Sequence, residues 1–299
     1  DLVRSRGLGD VYKRQIVSCP GSCGELFQGL VGEQEVLLSY GIEKRSRVRL
    51  DGTSSLARQA QGEKVQRALE LLPAANVFSF VQESDLPISK GYSSSTADMI
   101  SCLQAASLGQ KQLLKAADLT RLCAKIEPTD SVAFADWTVI NPLTGQVVWQ
   151  TDWRPELYVY ILEPVEMVTT LDLVRMKDSP SYPAEESKHL LPLFQAACKE
   201  KSIEKIGHLA SYSALLNNQR LPKPYLKELL ALVKKYQCLG LNVAHSGTLV
   251  GLLLSREQLE VLPKLEAELA RSASGAYYQT RTLSRIIFEG VQPVREETD

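Results

Sequence analysis

Apolar residues recur along this chain with two periods, and the switches between them outline its elements. In residues 63–72, Val65, Leu69 and Leu72 fall at i, i+4 and i+7, the spacing of one helix face. Leu119, Leu122, Cys123 and Ile126 form a second such stripe, with Asp118 as its predicted cap and Pro128 as its stop. A third helix is predicted over residues 94–107, where Met99, Ile100, Leu103 and Ala106 would face a core. Residues 35–40, 45–50 and 76–83 read instead as strands, the last apolar on both faces. Residues 137–140 and 146–150 predict a hairpin closed by Asn141-Pro142-Leu143-Thr144-Gly145.

Residues 152–156, with Pro155, read as a linker. Beyond it the pattern predicts a buried strand at 157–163 and helices at 184–200, 202–217 and 224–238. Strands at 240–244 and 248–254 flank a turn, followed by a helix at 256–271 and a last strand near 282–289. Strands and helices alternate without strict βαβ regularity, which makes the fold class α+β in two domains, 16–152 and 153–299.

Composition narrows the partners. The 299 residues are 44% hydrophobic and 23% charged with a formal net charge of −1, an ordinary globular balance. No basic stripe points to nucleic acid or an anionic membrane, and no apolar stretch approaches a membrane-spanning length. Cys19, Cys23, Cys102, Cys123, Cys198 and Cys238 lack a second pair at metal-ligand spacing. They read as reduced packing thiols of a cytoplasmic protein, without structural zinc. The oligomeric state is left open.

The first fifteen residues stand apart. Ser5 to Gln15 resembles a conceptual translation of a transposase sequencing adaptor, so residues 1–15 are set aside from fold reasoning as a non-native tail. Gly7-Leu8-Gly9 is then no nucleotide fingerprint.

The chemistry gathers around Pro87-Ile88-Ser89-Lys90-Gly91-Tyr92-Ser93-Ser94-Ser95-Thr96, which joins a predicted strand to a predicted helix. A glycine followed by small hydroxyl residues at a helix start is suited to phosphate. Gly91 lets backbone approach a ligand, the first-turn amides point at an anion, and the macrodipole favours negative charge there. Serines also start helices simply as N-caps, and no Gly-x-x-x-x-Gly-Lys-Ser/Thr loop occurs. Three further segments carry candidate groups. Residues 20–29 form a glycine-punctuated turn bearing Glu25, residues 127–131 set Glu127 and Asp130 just past a helix end, and residues 241–248 form a small-residue turn with His245.

Pro20-Gly21-Ser22-Cys23-Gly24-Glu25, then Pro87-x-x-x-Gly91-x-x-Ser94-Ser95, then a glycine-bearing turn near the C-terminus resembles the GHMP kinases. Glu127-Pro128-Thr129-Asp130-Ser131, Leu221-Pro222-Lys223-Pro224 and Asn242-Val243-Ala244-His245-Ser246-Gly247 are most similar to the L-threonine kinases of cobalamin biosynthesis. The resemblance covers roughly residues 16–290. It implies a two-domain GHMP-kinase-like α+β fold, with the phosphate loop in residues 16–152, a ferredoxin-like domain in 153–299, and the active site between them. It also implies ATP-dependent phosphoryl transfer to a small alcohol. That alcohol would be L-threonine, with homoserine, serine or a sugar as alternatives, and a non-catalytic nucleotide-binding homologue as the reading from another class.

The same resemblance implies roles. Lys90, Gly91, Ser93, Ser94, Ser95 and Thr96 would surround the ATP phosphates, with Ser94 or Ser95 and Glu127 as ligands to Mg²⁺. Asp130 would orient or deprotonate the acceptor hydroxyl. Glu25 would meet the substrate ammonium, and His245, Ser246 and Gly247 would line the substrate side. Two departures stand out: Ser22 occupies a place where several relatives carry a basic residue, and Tyr92-Ser93 replaces the second glycine of the phosphate loop.

Overall fold

The computed structural model describes residues 15–52, 62–73, 78–165 and 183–295. Residues 1–14 of the adaptor-like tail and residues 76–77 of the predicted strand lie outside them, while Gln15 opens the first strand. The chain runs β1 (Gln15–Pro20), β2 (Glu25–Val31), β3 (Gln34–Ser39) and β4 (Arg45–Gly52). Then come α1 (Glu63–Glu70), β5 (Ser79–Ser84), α2 (Ser94–Gly109), α3 (Ala116–Ala124), β6 (Trp137–Ile140) and β7 (Val147–Thr151). The second half holds β8 (Tyr158–Glu163), α4 (Ala184–Ser187), α5 (Leu190–Glu200), α6 (Ile203–Arg220) and α7 (Leu226–Lys235). It ends with β9 (Gly240–Val243), β10 (Val250–Leu254), α8 (Leu262–Leu269), α9 (Ala273–Tyr277), β11 (Thr280–Arg285) and β12 (Gln292–Arg295).

Among the described residues these strands form two antiparallel sheets. One has the order β12-β1-β4-β5 and the other β11-β8-β10-β9-β2-β3-β6-β7. The larger sheet joins strands from both halves of the chain where Glu25 pairs with Val243. β12 pairs with β1, so the last strand closes onto the first.

β8 shows why the sheet is buried on both faces. Val159 and Ile161 enter one core with Leu103, Leu119 and Phe194, while Tyr160 and Leu162 enter another with Leu229, Leu252 and Leu265. Alternate residues of a strand point to opposite faces, so an unbroken apolar run is what two cores require. α2 is the helical counterpart, buried on every side from Thr96 to Leu108 against β1, β4, α1 and α3. Two of its buried serines bond to nearby carbonyls: Ser101 Oγ donates to Ser46 O at 3.2 Å, and Ser107 Oγ to Gln112 O at 2.9 Å.

Several expectations shift. The glycine-punctuated turn is confined to residues 21–24, and Glu25 begins a strand with Leu26 and Phe27 fully buried. Gly29 is a packing glycine rather than a turn residue, since a Cβ there would lie 2.7 Å from Ser187 O. The second helical stripe starts at Ala116 with Lys115 at the cap position, and Asp118 sits in its first turn, where the dipole favours an acid. Residues 184–200 split into α4 and α5, and residues 256–271 begin as a 3-10 turn (Glu257–Val261) before α8. Pro263 sets that break, because a residue without N–H fits the first turn of a helix but not its interior. β12 carries Pro293 and lies at a sheet edge, where proline is tolerated.

Candidate active site

Three loops interlock to build the site. In the 20–24 turn, Ser22 N donates to Tyr92 O at 3.0 Å and Gly24 N to Gly91 O at 3.3 Å. From the turn after β9, Thr248 N donates to Lys90 O at 2.8 Å and Ala244 N to Leu249 O at 3.0 Å. Gly91 sits at the crossing with φ +104°, and a Cβ on it would stand 2.4 Å from Ala244 Cβ and 3.1 Å from Gly247 Cα. Its lack of a side chain serves the crossing of two loops as well as any approach by a ligand. Two buried lysines hold the crossing from either side. Lys223 Nζ donates to Gly247 O at 2.7 Å, and Lys90 Nζ to Pro164 O and, at 2.8 Å, to Val165 O. Burial pushes the Lys223 ammonium down to about 8, against the opposing pull of Glu25.

The loops open onto a cavity of about 470 Å³. Its floor is the start of α2: Gly91, Ser93, Ser94, Ser95 and Thr96 all line it. The first amides of a helix have no intrahelical partner, and here they begin at Ser93, which makes no side-chain cap bond. Ser93 takes the left-handed φ of +55° that glycine adopts freely. Ser22 is fully buried, and its Oγ shares a hydrogen bond with Ser93 Oγ at 2.5 Å. Tyr92 OH donates to Glu163 Oε2 at 2.8 Å.

Four acidic groups face this mouth or its rim. Asp130 accepts from Thr96 Oγ1 at 3.4 Å and from Ser39 Oγ at 3.3 Å, so it spans from α2 to the end of β3. Burial raises its carboxyl above the usual range, hydrogen bonding from Ser93 opposes this, and the Glu127 charge adds to it. Glu127 accepts from Ser95 Oγ and, at 2.6 Å, from Lys64 Nζ. Glu25 is 8% exposed and accepts from His245 N at 2.8 Å, with His245 Nδ1 3.3 Å from the same oxygen. Burial raises Glu25 well above the carboxylate range, and the charge of Asp130 pushes the same way. Glu35, at the start of β3, completes the set.

Of the residues singled out from sequence, Glu25, Gly91, Ser93 to Thr96, Glu127, Asp130, His245 and Ser246 line one cavity. Lys90 and Gly247 stand behind it: the Lys90 ammonium is turned to the end of β8, and Gly247 packs against Gly91. The wall also contains Lys64, Arg67, Gln28, Leu37 and Arg220, which sequence reasoning missed. Lys64 and Arg67 lie three apart on α1, a spacing shared with any solvated helix face. Arg220 ends α6 directly before Leu221-Pro222-Lys223-Pro224, and that adjacency was the available signal.

Comparison with known proteins follows the same lines. The profile for the GHMP kinases N terminal domain matches residues 62–137. The L-threonine kinase of Citrobacter freundii is 31% identical over 93% of this chain and 99% of its own length. The L-threonine kinase of Salmonella typhimurium is 30% identical over 93% of this chain and 95% of its own. Among solved structures, homoserine kinase from Cytophaga hutchinsonii superposes with a TM-score of 0.67 at 13% identity, covering 94% of this chain and 97% of that one. Methanococcus jannaschii mevalonate kinase gives 0.65 at 16% identity, covering 91% and 98%. These structural likenesses speak for the α+β fold, and the two long sequence matches settle the family: the chain belongs to the GHMP kinases.

Proposed function

We propose that this GHMP kinase transfers the terminal phosphoryl group of ATP to the side-chain hydroxyl of L-threonine. The products are O-phospho-L-threonine and ADP, and the phosphoamino acid supplies the aminopropanol linker of cobalamin. The observation that carries this reading is that Asp130 lines the cavity at the mouth of α2, where it accepts from Thr96, and is held also by Ser39. An anion site and a general-base candidate thus share a single space. The near end-to-end match to two L-threonine kinases supports threonine as the acceptor.

Phosphoryl transfer depends on positioning and charge neutralisation more than on covalent chemistry. The first-turn amides of α2 and the hydroxyls of Ser93, Ser94, Ser95 and Thr96 take the phosphate oxygens, where the helix dipole favours negative charge. Asp130 orients the threonine hydroxyl and receives its proton as the new O–P bond forms. The bond from the γ-phosphorus to the bridging oxygen breaks, and its electron pair leaves with ADP. Burial raises the Asp130 carboxyl above its ordinary range, which makes its carboxylate a stronger proton acceptor. Glu25, with His245 and Ser246, faces the amino-acid end of the acceptor.

The donors beside α2 fit Mg²⁺. Ser95 and Glu127 bring hard oxygens together, Ser94 stands next to them, and Lys64 fixes the second Glu127 oxygen. Mg²⁺ is commonly held by one or two carboxylates with substrate phosphates and water. When bound, it neutralises charge on the transferred group. Six buried free cysteines support a reducing, cytoplasmic setting.

ADP release measured with threonine, serine, homoserine and galactose in parallel tests the reading. Threonine is expected to give the highest kcat/KM, and Asp130→Asn to lower kcat by about 10²- to 10⁴-fold with ATP binding retained. ADP release that ignores threonine would sink it.

A further inference from the structure

We propose that Lys64 is an exchangeable counter-ion of the site: it holds the Glu127 carboxylate until a divalent cation takes that group, and its ammonium then passes to the triphosphate oxygens. The inference rests on the kinase reading above and deepens it by naming a cation on the nucleotide side.

Glu127 has a local need for positive charge. Its backbone N donates to Cys123 O at 3.1 Å, so it stands just past the C-terminal end of α3, where the helix dipole disfavours a carboxylate. Both of its oxygens are engaged: Ser95 Oγ donates to Oε1, and Lys64 Nζ donates to Oε2 at 2.6 Å. A hydroxyl and a carboxylate are the hard oxygens that suit Mg²⁺, so Lys64 already stands on a group the metal would use. One negative charge cannot balance a divalent cation and an ammonium together, and like charges this close repel. The larger anion nearby is a triphosphate on the first turn of α2, and the ammonium is drawn to it.

The core sets the place of Lys64. Val65, Ala68 and Leu69 are buried and fix α1 against α2, and Lys64 lines the cavity beside them. Its side chain is 40% exposed and that of Glu127 21%, so the ammonium can change partners without becoming an uncompensated buried charge. A lysine carries a compact charge on a flexible four-carbon stem, which suits a group that turns from one anion to another.

The lysines closer to the phosphate loop are committed elsewhere. Lys90 Nζ donates to Pro164 O and Val165 O, with Glu163 at 3.8 Å, and Lys223 Nζ donates to Gly247 O. On α1, Lys64 is bonded to Glu127, while Arg67, one turn on, shares the cavity wall.

The probe is Mn²⁺ alone, titrated into nucleotide-free enzyme and followed by the electron spin resonance of the free ion. Lys64→Met should bind it about three- to tenfold tighter than wild type, the scale of a part-exposed charged contact. Calorimetry with Mg²⁺ and the non-hydrolysable analogue AMP-PNP should move the other way, to binding about three- to tenfold weaker. Lys64→Arg keeps the charge and should recover most of the nucleotide affinity. Arg67→Gln should leave Mn²⁺ binding near the wild-type value. In a Glu127→Gln background Lys64→Met should no longer change Mn²⁺ binding, because the two act through one carboxylate.

Mn²⁺ binding that Lys64→Met leaves unchanged overturns the proposal. Weaker binding of both metal and nucleotide, with a lower Tm, would make Lys64 a structural prop and overturn it as well. So would tighter Mn²⁺ with unaltered nucleotide affinity, since the ammonium would then not reach the phosphates. Opposite shifts alongside ADP release that ignores threonine would sink the acceptor reading and leave this proposal standing. A wild type that binds no Mg·AMP-PNP would sink both.

Discussion

Glu25 shows how a single carboxyl group couples the site to stability. Burial lifts it well above the ordinary carboxylate range, and Asp130 adds to the lift, while the His245 amide opposes both. A folded-state value above the unfolded one means that the native state holds the proton more tightly. The associated stability is fully present below the ordinary carboxylate range and is lost as pH rises through the folded value. Glu25→Gln removes this dependence without removing the shape. The variant's Tm should therefore gain on the wild type as pH climbs from 5 to 8, with activity reduced. Thermal melts of both proteins across that range check it, and a variant-minus-wild-type Tm difference that stays flat or falls as pH rises would refute the assignment. The destabilising carboxyl is what a functional site retains at the expense of stability.

At the scale of elements, the crossing of the phosphate loop with the turn after β9 is the part least tolerant of change. Gly91→Ala would place a Cβ 2.4 Å from Ala244 Cβ at a φ of +104°. The strained backbone alone costs about 1–3 kcal/mol, and relief of the overlap must move the loop. Denaturant unfolding should show at least that loss, and KM for ATP should rise because the α2 mouth follows the loop. A variant with wild-type stability and ATP affinity would show that the crossing is looser than its geometry. The sequence already pointed to Gly91, for it precedes a run of hydroxyls at a helix start. It misdirected at Gly29, since a glycine needed for close packing against Ser187 looks the same as one needed for a turn. Asp130 was legible because a carboxylate just past a helix end has an unusual local setting. Lys64, Arg67 and Arg220 were not, because a basic residue on a helix reads as a solvated face until the cavity beside it is known.

Across the whole molecule, the first and last strands of the described residues are joined in one sheet. β12 adds to β1 through pairs running from Gln15–Arg295 to Ser18–Gln292. Removing residues 292–299 should lower Tm by several degrees and bare the edge of β1, which invites pairing between copies. Melting curves and light scattering report the two effects; an unaltered Tm would show that β12 is dispensable. The larger sheet depends on a different joint. Glu25 pairs with Val243 through its backbone while its side chain faces the cavity, so one residue belongs both to the joint between strands of the two halves of the chain and to the cavity wall.

What was readable from residue order was local chemistry: helix faces from apolar spacing, a phosphate-type mouth from glycine and hydroxyls, a carboxylate after a helix end. Each depends on neighbours within a few positions, and short-range sterics and hydrogen bonding set the outcome. The assembly of those parts was settled in three dimensions. Ser22 meets Ser93, Lys223 meets Gly247 and Gln28 meets Ser213 across long stretches of chain. Such meetings follow from sheet register and from how helices dock on buried faces, which are properties of the packed core as a whole. For the same reason Lys64 and Arg67 of the cavity wall carry no mark in the sequence: their place beside the cavity comes from where α1 comes to rest.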